Sequence, residues 1–229
     1  MSIRVQAIVA VTIDGFIGHS LPERLLLSSE DDINDVMKLR ANCDAILVGA
    51  GTIRHDNSTL VTRDPELIKH RLDQNKCQDP IKVTLTKKGN IPLSSNFIKV
   101  GDCEKIVYTS NLINQKNENE LSKVVTLKKF ESERVTAKQI VTDLSKRGVR
   151  NMIVEGGTQI LTMFLEENLI NDLRLSIAPF LVGDGSSPRF TNSRRFTFNK
   201  NNRMKLVSVK SLGDMAVMQY QLKDFEIKR

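Results

Sequence analysis

The chain has 229 residues, of which 40% are hydrophobic and 27% charged, a balance that supports a folded core and excludes a disordered chain. Its longest apolar runs, such as Ala7 to Val11, are a few residues long, far short of the roughly 20 that a membrane-spanning helix needs. A net charge of +7 points to an anionic partner, whether a phosphorylated metabolite, a dinucleotide or nucleic acid. Cys43, Cys77 and Cys103 are widely spaced and odd in number, which argues against a disulfide framework and for a reducing compartment. His19, His55 and His70 show no paired-ligand spacing, so no metal is expected. The N-terminus lacks the long apolar stretch and small-residue cleavage site of an export signal, and reads as the first strand of a cytoplasmic protein.

In chain order, residues 3–12 read as a largely buried strand that Asp14-Gly15 ends with turn chemistry. Ser28 and Ser29, followed three residues later by Asp31 and Asp32, give overlapping N-cap signals, and Ile33, Val36 and Met37 place an apolar stripe at helical spacing. A helix over about 30–42 follows. The run Ala45 to Val48 predicts a buried parallel strand that empties into Gly49-Ala50-Gly51-Thr52. From Thr62 to Pro80 the chain is polar, with a short helix opening at Asp64-Pro65, and reads as surface.

Strand-like runs at 81–85, 105–109 and 123–127 alternate with turn-rich stretches at 87–90 and 111–120. Thr136 with Gln139 makes a capping box for a helix whose apolar face is Ile140, Val141 and Leu144, and Gly148 sits where a C-terminal cap belongs. Residues 151–154 form another buried strand, Glu155-Gly156-Gly157-Thr158 a second glycine junction, and Ile160, Leu161, Phe164 and Leu165 mark the next helix. A strand at 173–178 is closed by Pro179, and residues 204–223 read as a hairpin turning at Gly213-Asp214. The sum is one α/β domain over 1–229: a mainly parallel central sheet flanked by helices, with a C-terminal antiparallel hairpin on one edge.

Chemistry concentrates in three places. The two glycine junctions put bare backbone N–H groups at helix N-termini, where phosphate oxygens bind, although neither is a full dinucleotide or P-loop fingerprint. Arg40, Thr52, Asp56 and Arg63 surround the first junction; the arginines suit a substrate phosphate and Asp56 suits proton transfer or orientation of a sugar. Glu155 stands at the carboxyl edge of the sheet, where open α/β folds bind ligands. A fourth segment, 186–205, carries six basic and three aromatic residues without an acid. It can be read as a single-stranded nucleic-acid platform or, more simply, as a solvated face or subunit contact.

The wording Leu39 to Thr52, followed by Asp56, Leu60 and Arg63, resembles the riboflavin-biosynthesis reductase family. Thr12-Ile13-Asp14-Gly15 is similar to that family's T/S-x-D-G turn, Val154 to Thr158 to its V-E-G-G element, and Ala178-Pro179 with Gly183 to its A-P-x-x-x-G loop. The resemblance implies a dihydrofolate-reductase-like fold, a homodimer, and NADPH-dependent reduction of the ribosyl group of a phosphoribosylamino-pyrimidine to a ribityl chain. On that resemblance Ala10, Thr52, Asp56, Gly156, Gly157, Thr158 and Gln159 hold NADPH. Arg40, Leu60, Arg63 and Glu155 face the substrate, and Asp56 and Glu155 are the catalytic acids. A paralogue reducing a pterin is the alternative that the resemblance leaves open. The chain lacks the H-x-E and P-C-x-x-C ligands of the fused deaminase, so it resembles the stand-alone reductases. It departs from the fused members at Ile8, where a lysine is usual, and at Asn57-Ser58.

Overall fold

The structure is a computed structural model that describes residues 3–21 and 23–223. In chain order its elements are β1 (Arg4–Thr12), α1 (Glu30–Asn42), β2 (Ala45–Gly49), α2 (Ala50–Asp56), α3 (Pro65–Asp73), β3 (Ile81–Thr86), α4 (Asn96–Lys99), β4 (Lys105–Thr109), α5 (Gln115–Leu121), β5 (Thr126–Lys129), α6 (Ala137–Lys146), β6 (Asn151–Val154), α7 (Thr158–Glu166), β7 (Asp172–Ala178), β8 (Lys205–Leu212) and β9 (Met215–Gln221). The capping signals account for the two best-marked helices. Ser29 Oγ accepts from the Asp32 N–H at the start of α1, with three acids in the first turn and Arg40 in the last, each placed to complement the helix dipole. Thr136 and Gln139 exchange both bonds of a capping box on α6.

The nine strands of the described residues form one sheet in the order β5-β4-β3-β2-β6-β1-β7-β9-β8. Among the described residues seven neighbouring strands pair in parallel, β9 pairs antiparallel with β7, and β8 pairs antiparallel with β9. The near-continuous apolar runs of β1, β2 and β6 follow from burial on both faces. Val5, Ala7 and Val9 point into one apolar layer with Ile140 and Leu144 of α6 and Ile160 and Phe164 of α7. Ile8, Ile46 and Val48 point into the other, with Ile53 of α2, Phe97 of α4 and Leu121 of α5. Strand β6 enters between β1 and β2, which brings the residues after Val154 beside those after Val48. No helix of the described residues is long and apolar enough to cross a membrane.

The structure departs from the sequence expectation in four segments. Residues 115–121, expected within a turn, form α5, because Asn114 accepts from the Asn117 N–H and Leu121 fills the core. The strand expected at 123–127 lies at Thr126–Lys129 instead. The short helix α4 carried no periodic signal, yet it buries Phe97 and Ile98. The stretch 62–80, read as surface, does hold the expected helix, but Arg71 of that helix is buried and donates to the carbonyls of Ala41, Cys43 and Cys77. A charged side chain gave no core signal, because its burial rests on backbone acceptors rather than on hydrophobicity.

Candidate active site

The insertion of β6 turns two sequence-distant glycine junctions into one structure. The Gly49 N–H donates to the Gly156 carbonyl at 3.0 Å, and the Glu155 N–H to Leu47 at 3.0 Å. Gly157 lies at φ +63, and a Cβ there would come within 3.1 Å of Thr52 Oγ1, so the two junctions approach only because that position is bare. The Thr158 and Gln159 N–H groups open the nine-residue helix α7 and have no intrahelical acceptor. This cradle of exposed backbone donors fits the phosphates of a dinucleotide.

Gly49, Thr52 and residues 156–159 line a cavity of about 1350 Å3, and the same cavity is lined by Ala10, Arg40, Asp56, Leu60, Arg63 and Glu155. Every site residue expected from the sequence therefore faces one space. Its volume exceeds the about 300–1,000 Å3 of a pocket for one small molecule, enough room for a dinucleotide and a second ligand. The cavity lies at the carboxyl ends of β2 and β6 and against the flank of β1 and α1, the position at which open parallel sheets bind ligands.

Within the cavity the expected residues are not independent of one another. Arg40, in the last turn of α1, donates from Nε to Glu155 Oε1 at 2.7 Å and from Nη2 to Oε2 at 2.6 Å. Both side chains are mostly buried, 15% and 11% exposed. Burial pulls the guanidinium down, but the Glu155 carboxylate more than offsets it and holds Arg40 above its ordinary value. The fork of Arg40 is thus committed to Glu155, whereas sequence reasoning assigned it to a substrate phosphate. Asp56, which ends α2, pairs with His55 Nδ1 at 2.8 Å, and this bond raises the imidazole above its usual range. Arg63 is exposed and donates to Thr59 Oγ1 at 2.9 Å. Leu60 belongs to the core, 2% exposed, with a left-handed backbone at φ +53 that places its main chain at the cavity wall.

One charged cluster on the wall went unnoticed in the sequence. Arg174 of β7, 1% exposed, donates to Asp32 Oδ1 at 2.8 Å and to Asp35 Oδ2 at 2.7 Å, and its Nη1 donates to Ser176 Oγ at 2.7 Å. Ser176 Oγ donates in turn to Asp32 Oδ1 at 2.7 Å, and Lys210 of β8 reaches Asp35 Oδ1 at 3.0 Å. Burial works against the Asp35 carboxyl, but bonds from Lys210 and Arg174 outweigh it and hold it below the usual carboxylate range. The available signal was an arginine inside the alternating run Leu173-Arg174-Leu175-Ser176.

Two other motifs serve the frame. Asp14 is bonded by Thr12 Oγ1 and accepts from the Val182 and Gly183 N–H groups, so the early aspartate turn and the late Ala178–Gly183 loop clasp each other. In the basic segment 186–205, Phe190 and Phe196 pack against the core and Arg189 lies 4.4 Å over the Phe16 ring. Those two aromatics are half-buried against the core, and Phe198, the third of the segment, is half-buried outside it. Among the described residues no group of acids, histidines and cysteines could hold a metal. The thiols are free, and burial pushes Cys43 up to about 12.

The chain is similar to the 2,5-diamino-6-ribosylamino-4(3H)-pyrimidinone 5′-phosphate reductase of Archaeoglobus fulgidus, 29% identical over 188 residues that cover 82% of this chain and 85% of that protein. It is also similar to the riboflavin biosynthesis protein RibD of Bacillus amyloliquefaciens, 26% identical over 196 residues, covering 84% of this chain and 50% of that one. The fold matches the crystal structure of a pyrimidine reductase-like protein from Corynebacterium diphtheriae with a TM-score of 0.81 at 23% identity, over 97% of this chain and 92% of that one. A family model described as the RibD C-terminal domain matches residues 4–218, and the chain belongs to that family.

Proposed function

We propose that this chain is a single-domain, NADPH-dependent reductase that converts the ribosyl group of a phosphoribosylamino-pyrimidine to the ribityl form in riboflavin biosynthesis. The family implies a nicotinamide cofactor, and stand-alone relatives of matching length carry the diaminopyrimidinone phosphate reductase name. The observation that carries the reading is the convergence of the glycine cradle, the Arg40–Glu155 pair and Asp56 on one cavity. Gly156, Gly157, Thr158 and Gln159 hold the dinucleotide phosphates through backbone N–H groups, with Thr52 across the junction and Ala10 on β1 beyond it.

When bound, the dihydronicotinamide supplies a hydride to the anomeric carbon of the ribose. The protein supplies position and protons. Arg40 fixes the Glu155 carboxylate by two bonds, so Glu155 is held in one orientation toward the sugar. Asp56, steadied by His55, is the second carboxyl and moves the proton that accompanies opening of the ribose ring to an imine. Arg63, exposed at the cavity wall with a single hydroxyl partner, retains donors for the substrate phosphate. Leu60 closes the wall.

Following NADPH absorbance with purified protein, offered the diaminopyrimidinone and the aminouracil phosphoribosyl compounds in parallel, tests the reading. Oxidation with the diaminopyrimidinone compound is the expected result. Oxidation with neither, or with dihydropterins instead, overturns it. We further propose a homodimer through the hairpin edge, where Leu206, Val207 and Val209 of β8 are exposed and an unpaired apolar edge strand seeks a partner. A monomeric mass by light scattering refutes that assembly.

A further inference from the structure

Strand β5 closes the sheet at the end away from the hairpin, with no strand beyond it among the described residues. The Phe130 N–H donates to the Thr109 carbonyl at 2.9 Å and Lys128 pairs with Tyr108, so Lys128 and Phe130 turn their main chain toward β4. Main-chain direction alternates along a strand. The N–H and carbonyl groups of Leu127 and Lys129 therefore point outward, to the open side of the sheet.

Beside this edge runs a groove of about 350 Å3 between β5 and α6, whose lining includes Lys128, Phe130, Lys138, Thr142, Asp143 and Lys146. None of these residues lines the cavity described above. Phe130 is half-buried and stacked on Tyr108 at 6.0 Å, so its ring is a fixed aromatic part of the wall. Lys138, Thr142 and Lys146 are exposed and follow one another at four-residue spacing along a single face of α6. The ammonium groups of Lys138 and Lys146 make no hydrogen bond or ion pair among the described residues, and that of Lys128 lies 5.9 Å from the Phe130 ring centroid. Asp143, the carboxylate of this lining, is engaged on Oδ2 by the Tyr108 hydroxyl at 2.8 Å and by Arg147 Nε at 2.7 Å. Uncommitted positive charge thus stands beside an open strand edge and an aromatic ring.

Spacing selects among anionic partners. Lys138 and Lys146 are eight helical residues apart, a rise of about 12 Å. Side chains at i and i+4 of an extended strand stand on one face about 13 Å apart, and the side chain at i+2 falls between them. We propose that this groove docks an extended acidic peptide segment of another protein, which adds as a strand to β5 and sets carboxylates at i and i+4 on Lys138 and Lys146. The open N–H and carbonyl groups of Leu127 and Lys129 supply the main-chain pairing, as in other cases of strand addition to a sheet edge. An apolar side chain at i+2 meets Thr142 and the Phe130 ring. Lys128 adds to the field that draws the acidic segment in.

Fluorescence anisotropy of the full chain with labelled, terminally blocked heptapeptides tests the docking. The probe Thr-Glu-Thr-Val-Thr-Glu-Thr carries acids at i and i+4 around a valine. It is compared with Thr-Glu-Glu-Val-Thr-Thr-Thr, of equal charge and composition, with the counterpart that has lysine for glutamate, and with a thymidylate heptamer. The spaced acidic peptide is expected to bind roughly tenfold or more tighter than the other three, as for one charged hydrogen bond gained. Lys138→Ala with Lys146→Ala is expected to lose a similar factor, and Lys138→Arg with Lys146→Arg to retain binding. Amide exchange at Leu127 and Lys129 is expected to slow when the peptide is added. Lys129→Pro removes an outward N–H without taking a bond from β4 and is expected to abolish binding, whereas Lys129→Ala keeps it; the exchange measurement stands even if the proline variant does not fold. Equal affinity for the two acidic peptides, or for the thymidylate heptamer, overturns the inference, because charge alone then suffices. Binding that leaves the Leu127 and Lys129 amides unprotected overturns the strand addition. Binding of no peptide overturns the inference as well and leaves the lysines as guards of an edge strand. None of these readouts uses turnover, so their failure leaves the proposed reductase function in place.

Discussion

Arg40 and Glu155 stand 115 positions apart in the chain and meet in a two-point pair, 2.7 and 2.6 Å, at the wall of the cavity. One belongs to the last turn of α1 and the other follows the last residue of β6. Their contact therefore reports the correct packing of the helix over the strand as well as the orientation of the Glu155 carboxylate, for which we propose a role in catalysis.

Glu155→Gln keeps the size of the side chain and one acceptor oxygen for Arg40 but removes the carboxylate. Turnover is expected to fall by about 10²-fold or more, the scale of a positioned acid–base group, with thermal stability only slightly lower. Glu155→Ala leaves the mostly buried Arg40 unpartnered and is expected to cost stability as well, approaching the about 3–5 kcal/mol of a broken buried pair. Full turnover in the Gln variant removes Glu155 from catalysis.

Asp56 raises the pKa of His55 through their hydrogen bond. A raised folded-state value means that the pair contributes stability fully below the ordinary imidazole pKa of about 6.5 and loses it as pH rises through the folded value. The contribution is small, since the His55 ring is 43% exposed. Asp56→Asn is expected to return the His55 pKa to near the ordinary range, read from the ring proton shifts by NMR, and to cut turnover sharply. An unmoved His55 titration sinks the pairing, and unchanged turnover sinks the proton-transfer role.

The elements that the sequence reveals best are those in which periodicity and capping agree: α1 and α6 begin at their expected caps, and β2 and β6 lie where the apolar runs stand. The helix α5 was hidden because Gln115 to Glu120 is wholly polar and only Leu121 turns inward. The residues expected at the site all line one cavity. Their pairing was not legible, because composition says nothing of β6 entering between β1 and β2, and that insertion is what brings Glu155 within reach of Arg40. Arg71 and Arg174 were overlooked for a common reason. Each is buried on oxygen acceptors drawn from other elements, a circumstance that no local window of sequence contains.

Arg174 joins β7 to α1 through Asp32 and Asp35, and both Arg174 and Asp32 are 1% exposed. Arg174→Met removes the cation while leaving a buried carboxylate, so a loss of about 3–5 kcal/mol is expected by urea unfolding. Adding Asp32→Asn to that variant removes much of the uncompensated charge. The double variant is expected to be less destabilised than the two single losses added together, a coupling visible in a double-mutant cycle. Strict additivity means that the two side chains do not act as a pair in solution.

Lys82 of β3 is fully buried, its ammonium donating to the Val100 carbonyl at 2.6 Å. Burial lowers its pKa to about 8, against about 10.4 in an unfolded chain. Between those values the unfolded chain binds the extra proton and the folded one does not, so this lysine makes stability rise with pH across roughly 8 to 10.4. Lys82→Met removes the titrating group and keeps the apolar stem. Relative to the parent, the Met variant is expected to compare best at pH 7, where folding carries the cost of a charged buried ammonium, and to lose that advantage by pH 10. Urea unfolding of both proteins across this interval measures the difference. A stability difference that does not change with pH places the Lys82 pKa at its unfolded value and overturns the account.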